Sequence, residues 1–165
     1  MRRSVLMCAC ICSWSPDPPS VQILASGSYD DTIKLYLDDP SEDWFCLSTL
    51  TGHKSTVWAL AWAPGGRYLA SSSGDHTVRI WKRTEQHKWQ CVTVLEEHER
   101  SVYSVTWGLG GQKEVQKGGE ALGWVASTGG DGRINVWEFE VRATAMRVLM
   151  TDLCACDRSS QDPKT

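Results

Sequence analysis

Three stretches of this chain share one spelling. "ILASGSYDDTIKLY" (23–36), "YLASSSGDHTVRIW" (68–81) and "WVASTGGDGRINVW" (124–137) align without a gap. Each runs from an apolar segment through a Ser and an Asp-containing turn to alternating apolar residues that close on an aromatic ring. Leu24, Leu69 and Val125 coincide, in steps of 45 and 56 residues. Ahead of two copies stand "TGHKSTVWALAW" (51–62) and "EEHERSVYSVTW" (96–107), with His53 and His98 again 45 residues apart. A unit that recurs about every 40–45 residues marks a repeat architecture, in which neighbouring units bury one another's faces.

Local signals make each unit four strands. "VWALAW" and "VYSVTW" are short, β-branched and aromatic. Pro64-Gly65-Gly66 turns the chain into "RYLASSS", and Gly74-Asp75-His76 turns it into "TVRIW". "DWFCLSTL" (43–50) and "KWQCVTVL" (88–95) are equivalent and read as fourth strands. First strands are expected near Val5–Trp14, Val57–Trp62 and Val102–Trp107. The units are then residues 1–50, with an atypical N-terminus, 51–95, and 96–150. The third carries an insertion over 108–123, rich in Gly and charge and read as a mobile loop. Residues 151–165 are expected to be a disordered tail.

The totals exclude several functions. A net charge of −3 gives no reason to expect nucleic acid or an anionic membrane as partner, and no segment approaches the ~20 apolar residues of a membrane helix. "MRRSVLMCACIC" mimics a secretory leader, but no clean cleavage site follows, and "SWSPDPP" resembles "AWAPGG" at 61–66, so it reads as a strand. Seven Cys without a framework spacing suit a reducing compartment. Cys8, Cys10 and Cys12, and Cys154 and Cys156, alternate as on one strand face, which reads as small buried apolar residues rather than thiolates converging on a metal. His76 and His87 lie in turns without companion ligands, so neither metal nor cofactor is expected.

His53, Ser71 and Asp75 invite a hydrolase reading. Their spacing argues against it: Ser71 to Asp75 equals Ser127 to Asp131, and Asp75 to Trp81 equals Asp131 to Trp137. Chemistry needs one constellation, whereas a repeated one belongs to architecture, so no enzyme is expected. Likewise the nine Trp are mainly structural: Trp62, Trp81, Trp107 and Trp137 occupy repeated positions and read as core.

A period near 45 residues with a Gly-His start and a terminal Trp resembles the WD40 repeat family. The fold this implies is all-β, with about three propeller blades of an expected seven, hence an incomplete propeller. Such a chain is expected to be a fragment or truncated product of a larger ring, or to complete a ring by association, since its two outer faces would expose apolar surface. In that family the Asp of the turn holds the His, the His bonds the Ser, and the Ser bonds the Trp indole. The implied structural network is His53, Ser71, Asp75 and Trp81 in one blade and His98, Ser127, Asp131 and Trp137 in the next. Ser26, Asp30 and Tyr36 are the first-blade counterparts, without an upstream Gly-His. The family's usual partner face is here lined by loops 29–31, 52–56 and 97–101. Tyr29, Thr56, Trp58 and Tyr103 are the candidate interface residues, aromatic rings being good anchors. The acidic "LDDPSED" (37–43) and basic "KRTEQHK" (82–88) read as solvated loops.

Residues 24 to about 107 are more particular. Asp30-Asp31, Tyr36 in place of Trp, the acidic loop with Trp44 and Cys46, and "TLTGHKSTVW" resemble the cytosolic iron–sulfur protein assembly (Ciao1-type) WD40 family. That resemblance implies a non-catalytic adaptor, cytoplasmic and also nuclear, that helps target clusters to apoproteins. Implied partners are a MIP18-type protein, a HEAT-repeat protein and a hydrogenase-like cluster carrier. The alternative is a generic WD40 interaction scaffold, such as a ubiquitin-ligase substrate receptor or a histone-tail reader.

Overall fold

The computed structural model describes residues 11–13, 23–39, 43–85, 88–109, 120–142 and 145–153. All regular structure among them is strand, arranged as three four-stranded antiparallel sheets, each following the chain from strand to neighbouring strand. The first holds β1 (Ile11–Ser13), β2 (Ile23–Gly27), β3 (Ile33–Asp39) and β4 (Asp43–Leu50). The second holds β5 (Val57–Trp62), β6 (Tyr68–Ser73), β7 (Val78–Glu85) and β8 (Lys88–Leu95). The third holds β9 (Val102–Gly108), β10 (Glu120–Gly129), β11 (Ile134–Arg142) and β12 (Ala145–Leu153). In β6, both flanked by strands and covered on both faces, every side chain from Tyr68 to Ser73 is buried, which explains why "YLASSS" lacks polar alternation.

The apolar residues sort into two cores, one at each junction between sheets. Ala25, Ile33, Leu35 and Leu50 of the first sheet share a core with Val57, Leu60, Trp62, Leu69 and Trp81 of the second. The opposite face of the second sheet, through Tyr68, Ala70, Val78 and Ile80, shares a core with Val102, Val105, Val125, Trp137 and Phe139 of the third. Strand alternation produces this directly, because Ile80 and Trp81 are neighbours in sequence and point to opposite faces. Rings fill the wide parts. Trp62 meets Trp89 edge-on at 5.4 Å, and Trp107 lies between Tyr68 at 6.3 Å and Phe139 at 5.5 Å. The first two sheets come closest at Gly27. A Cβ built there would stand 2.8 Å from a Val57 methyl, and the Val57 amide beside it donates to the Ser28 carbonyl at 3.1 Å.

Two sequence boundaries require correction. The expected insertion 108–123 is shorter at both ends, since Gly108 closes β9 opposite Trp124 and β10 begins at Glu120. "EALG" reads as loop for its charge and glycine. In the sheet, a bulge between Ala121 and Gly123 absorbs the irregularity, with Gly123 at φ +95°. The expected tail at 151–165 also begins too early. Thr151, Asp152 and Leu153 pair with Val136, Asn135 and Ile134 in β12, because an edge strand is held through its backbone and tolerates polar side chains. First-strand residues 5–10 and 14, the Cys8, Cys10, Cys12, Cys154 and Cys156 side chains, His87, and residues 154–165 lie outside what is described.

Ile80 is wholly buried. Ile80→Ala is expected to lower unfolding free energy by about 2–5 kcal/mol in urea titration, from lost transfer energy and the cavity left behind.

Candidate functional site

The side chains repeated in sequence converge at one end of each blade. In the second sheet the loop before β5 brings His53 over the β6–β7 turn. Its Nδ1 lies 2.9 Å from Asp75 Oδ2, and its Nε2 lies 2.7 Å from Ser71 Oγ. Trp81 Nε1 donates to that same Ser71 oxygen at 2.9 Å. The carboxylate can only accept and the indole can only donate, and burial lowers the His53 pKa so that the ring is neutral at neutral pH. Together these set the direction of the chain, with the Arg79 carbonyl a longer second acceptor for Ser71 at 3.4 Å. Nδ1–H donates to Asp75, the Ser71 hydroxyl donates to the bare Nε2, and Ser71 accepts from Trp81. His53 is therefore neutral in one tautomer.

Asp75 also organises its own turn. It accepts from the Lys54 amide at 2.9 Å, the Thr77 amide at 3.1 Å and the Thr77 hydroxyl at 2.7 Å. One carboxylate thus ties the incoming loop to the β6–β7 turn. The third sheet repeats the set: His98 reaches Asp131 at 2.8 Å and Ser127 at 2.7 Å, and the Glu99 and Arg133 amides donate to Asp131 at 3.0 Å each. Trp137 is buried beside His98, ring centres 6.5 Å apart.

The first sheet carries only the turn half. Thr32 donates to Asp30 through its amide at 3.1 Å and its hydroxyl at 2.6 Å, and the Asp30 amide donates to Ser28 Oγ at 3.2 Å. Asp30 itself is exposed, Ser26 Oγ is buried without a hydrogen-bond partner among the described residues, and Tyr36 is partly buried. The doubled Asp has a backbone explanation. Asp31, His76 and Gly132 occupy equivalent positions with φ of 65°, 71° and 75°, the left-handed slot of the same turn, which Asp tolerates better than most residues with a Cβ.

Electrostatics follow burial. Desolvation pushes the Asp75 carboxyl up, but the Lys54 amide, Thr77 and His53 outweigh it and hold the group well below the usual range. Desolvation also lowers the His53 pKa, with Asp75 opposing. Asp131 is lowered despite burial by the Arg133 amide, His98 and the Glu99 amide. Ser71 is not open to a substrate: it is fully buried and shared between His53 and Trp81.

Beside the networks lies the second feature, a chain of rings across all three sheets. Tyr29 meets the Trp58 ring edge-on at 5.6 Å, and Trp58 meets Tyr103 at 5.8 Å. Trp58 and Tyr103 hold the same repeat position on β5 and β9. Tyr29 stands where the other turns have Gly74 and Gly130, and those glycines leave room for the rings: a Cβ on Gly74 would come within 3.3 Å of Trp58 Nε1 and one on Gly130 within 3.3 Å of Tyr103. In the first sheet that turn position carries a ring, which reaches over to the next blade. Tyr29 is 50% exposed and Tyr103 56%, with Trp58 half-buried between them. Thr56, at the base of the row, accepts the Gly74 amide at 2.9 Å through its carbonyl. Sequence reasoning marked these four residues singly; that three of them form one row needs the blade-to-blade geometry. Alongside, between the second and third sheets, a cleft is lined by Lys54, Asp75, His76, Thr77, Arg79, Glu96 and His98, of both charges.

The family model described as "WD domain, G-beta repeat" matches residues 4–36, 44–82 and 89–138. Among curated proteins, a segment that makes up 33% of this chain is 48% identical over 54 residues to "Probable cytosolic iron-sulfur protein assembly protein 1" of Pyricularia oryzae, covering 11% of that relative. "Probable cytosolic iron-sulfur protein assembly protein CIAO1 homolog" of Ixodes scapularis is 46% identical over 52 residues, 32% of this chain and 15% of the relative. "Nuclear distribution protein PAC1-2" of Uncinocarpus reesii is 43% identical over 53 residues, 32% of this chain and 11% of its own length. The chain thus matches about a tenth to a seventh of the length of these relatives.

Asp75→Ala is expected to cost about 1–3 kcal/mol in chemical denaturation, because His53, Thr77 and the Lys54 amide lose their acceptor. The pH response has a definite sign. The folded-state pKa values of His53 and Asp75 lie below their ordinary values of 6.5 and 3.8, so the unfolded chain takes up protons first. Their contribution is complete above pH 6.5 and declines as pH falls below it, then again below 3.8. Thermal melts across pH 8 to 3 check this, and a melting point that rises on acidification from 7 to 5 would mean a charged His53–Asp75 pair.

Proposed function

We propose, for a chain that belongs to the WD40 (WD domain, G-beta repeat) family, that it acts as a non-catalytic protein-interaction scaffold in cytosolic iron–sulfur protein assembly. The observation that carries the scaffold role is the row Tyr29–Trp58–Tyr103. Three large rings, two of them about half exposed, lie on rigid strands and turns braced by the polar networks. Rings held this way lose little entropy when a partner covers them, which is what an interface anchor requires. Ser71 and Ser127 are locked in repeated, buried hydrogen bonds, so the residues best suited to nucleophilic chemistry are committed to architecture.

The pathway rests on relatives named as cytosolic iron–sulfur protein assembly proteins, together with Asp30-Asp31, Tyr36 and "TLTGHKSTVW". On this reading the chain works in the cytoplasm and also the nucleus. Its partners are a MIP18-type protein, a HEAT-repeat protein and a hydrogenase-like cluster carrier, and the clusters are cargo handed to apoproteins. Similarity to a nuclear distribution protein favours the second reading, a WD40 scaffold of another pathway.

Affinity purification of the tagged chain from its own cells separates the two. Recovery of iron–sulfur assembly proteins supports the first reading; ubiquitin-ligase subunits or histones without them would overturn it. Tyr103→Ala is expected to weaken partner recovery at least about tenfold, the effect of losing ~1.4 kcal/mol of anchor energy, while leaving the melting point nearly unchanged because the ring is 56% exposed. Equal loss of folding and binding would instead make Tyr103 a packing residue.

A further inference from the structure

The rings Tyr29, Trp58 and Tyr103 tilt steeply against one another. Tyr29 meets Trp58 at 5.6 Å with the two planes 79° apart, and Tyr103 meets it at 5.8 Å and 62°. Neither tyrosine stacks flat on the indole. With ring centres this close, one cation can sit within about 6 Å of two of them at once, the reach of a cation–π contact. The loops and turns at the same end of the sheets, residues 28–32, 51–56, 73–77, 96–101 and 129–133, carry seven acidic side chains and three basic ones. The whole chain has a net charge of −3, so its negative excess is concentrated beside the rings and the remainder is, in sum, slightly positive. Glu99 is paired with Arg133 at 2.8 Å, whereas Asp31, Glu96 and Glu97 enter no ion pair among the described residues. Asp31 shares its turn with Tyr29, and Glu97 stands in the loop that leads into the strand of Tyr103. Lys54 and Arg100, exposed on the same loops, soften this field without reversing it.

An acidic segment would be repelled from such a face. An uncharged one would cover the rings and leave the carboxylates unmatched, whereas a basic one answers rings and carboxylates together. We propose that the Tyr29–Trp58–Tyr103 row takes a lysine or arginine side chain from an extended basic segment of a partner protein, with the flanking carboxylates as counter-charge. This partner chemistry rests on the reading of the row as a docking face.

Fluorescence polarisation on the whole chain tests this with a fluorescein-labelled peptide in which serine and glycine surround a central Lys-Arg-Lys. It should bind more tightly than a twin carrying glutamate at those places, and its affinity should fall as salt rises. Tyr103→Leu keeps bulk but removes the π-face, and should weaken the basic peptide about fivefold, while Tyr103→Phe retains it. Asp31→Asn combined with Glu97→Gln should weaken it too and flatten its salt dependence, since asparagine also suits the left-handed turn at residue 31. Thermal melts report that each variant stays folded. Equal binding of the two peptides overturns the proposal. So does undiminished binding of the basic peptide to the Tyr103→Leu chain, which would mean diffuse charge attraction away from the rings. The two readings fail separately. Partner recovery from cells that depends on Tyr103 but is not competed by the basic peptide removes the cationic ligand and keeps the docking face. Recovery indifferent to Tyr103 removes the docking face and the proposal with it.

Discussion

The fold depends on an imidazole held between a carboxylate and a hydroxyl. His53 and His98 are buried, and a buried ring nitrogen without a partner costs about as much as the turn it sits on can supply. Asp75 and Asp131 remove that cost and, by also accepting amides from both segments they join, convert a loop and a turn into one rigid corner. Ser71 passes the chain of hydrogen bonds to Trp81, so a large core ring is fixed by a polar contact as well as by packing. Apolar burial joins the sheets to one another; the network ties loop to turn within each of two sheets, beside the rings Tyr29, Trp58 and Tyr103.

That division of labour links architecture to function. A scaffold needs exposed anchors that do not move, and exposed rings on loops would be costly to immobilise on binding. Here Trp58 and Tyr103 grow from first strands, and Tyr29 from a turn whose Asp30 is tied to Thr32. The corner networks lie next to this row, so on the proposed reading a change at Asp75 would reach a partner through loss of order rather than through loss of contact.

Much of this was legible in the residues. Strand β5 follows from a short β-branched and aromatic run, β4 and β8 from their equivalence to each other, and the His–Ser–Asp–Trp spacing is conspicuous because its second copy argues against a unique catalytic site. What stayed hidden depends on neighbours that a linear pattern does not contain. Tyr29 looks like a turn residue until the second blade places Trp58 against it. Ser26 looks like Ser71, yet its oxygen is buried without a partner among the described residues. Glu120 and Ala121 look like loop, and Thr151 and Asp152 like tail, because backbone pairing at an edge leaves no trace in side-chain polarity. Asp31 looked like a family marker and is equally a left-handed turn position shared with His76 and Gly132.

The central claim is the direction of the hydrogen-bond chain, and imidazole nitrogen-15 chemical shifts test it most directly. For His53 at neutral pH, one protonated nitrogen, Nδ1, and one bare nitrogen, Nε2, are predicted, with the ring staying neutral below its ordinary pKa of 6.5. A ring protonated on both nitrogens at neutral pH would contradict the account, turning Ser71 into an acceptor from His53 and Trp81 with its proton on the Arg79 carbonyl. So would one protonated on Nε2 alone, which would leave Nδ1 and Asp75 as two acceptors face to face.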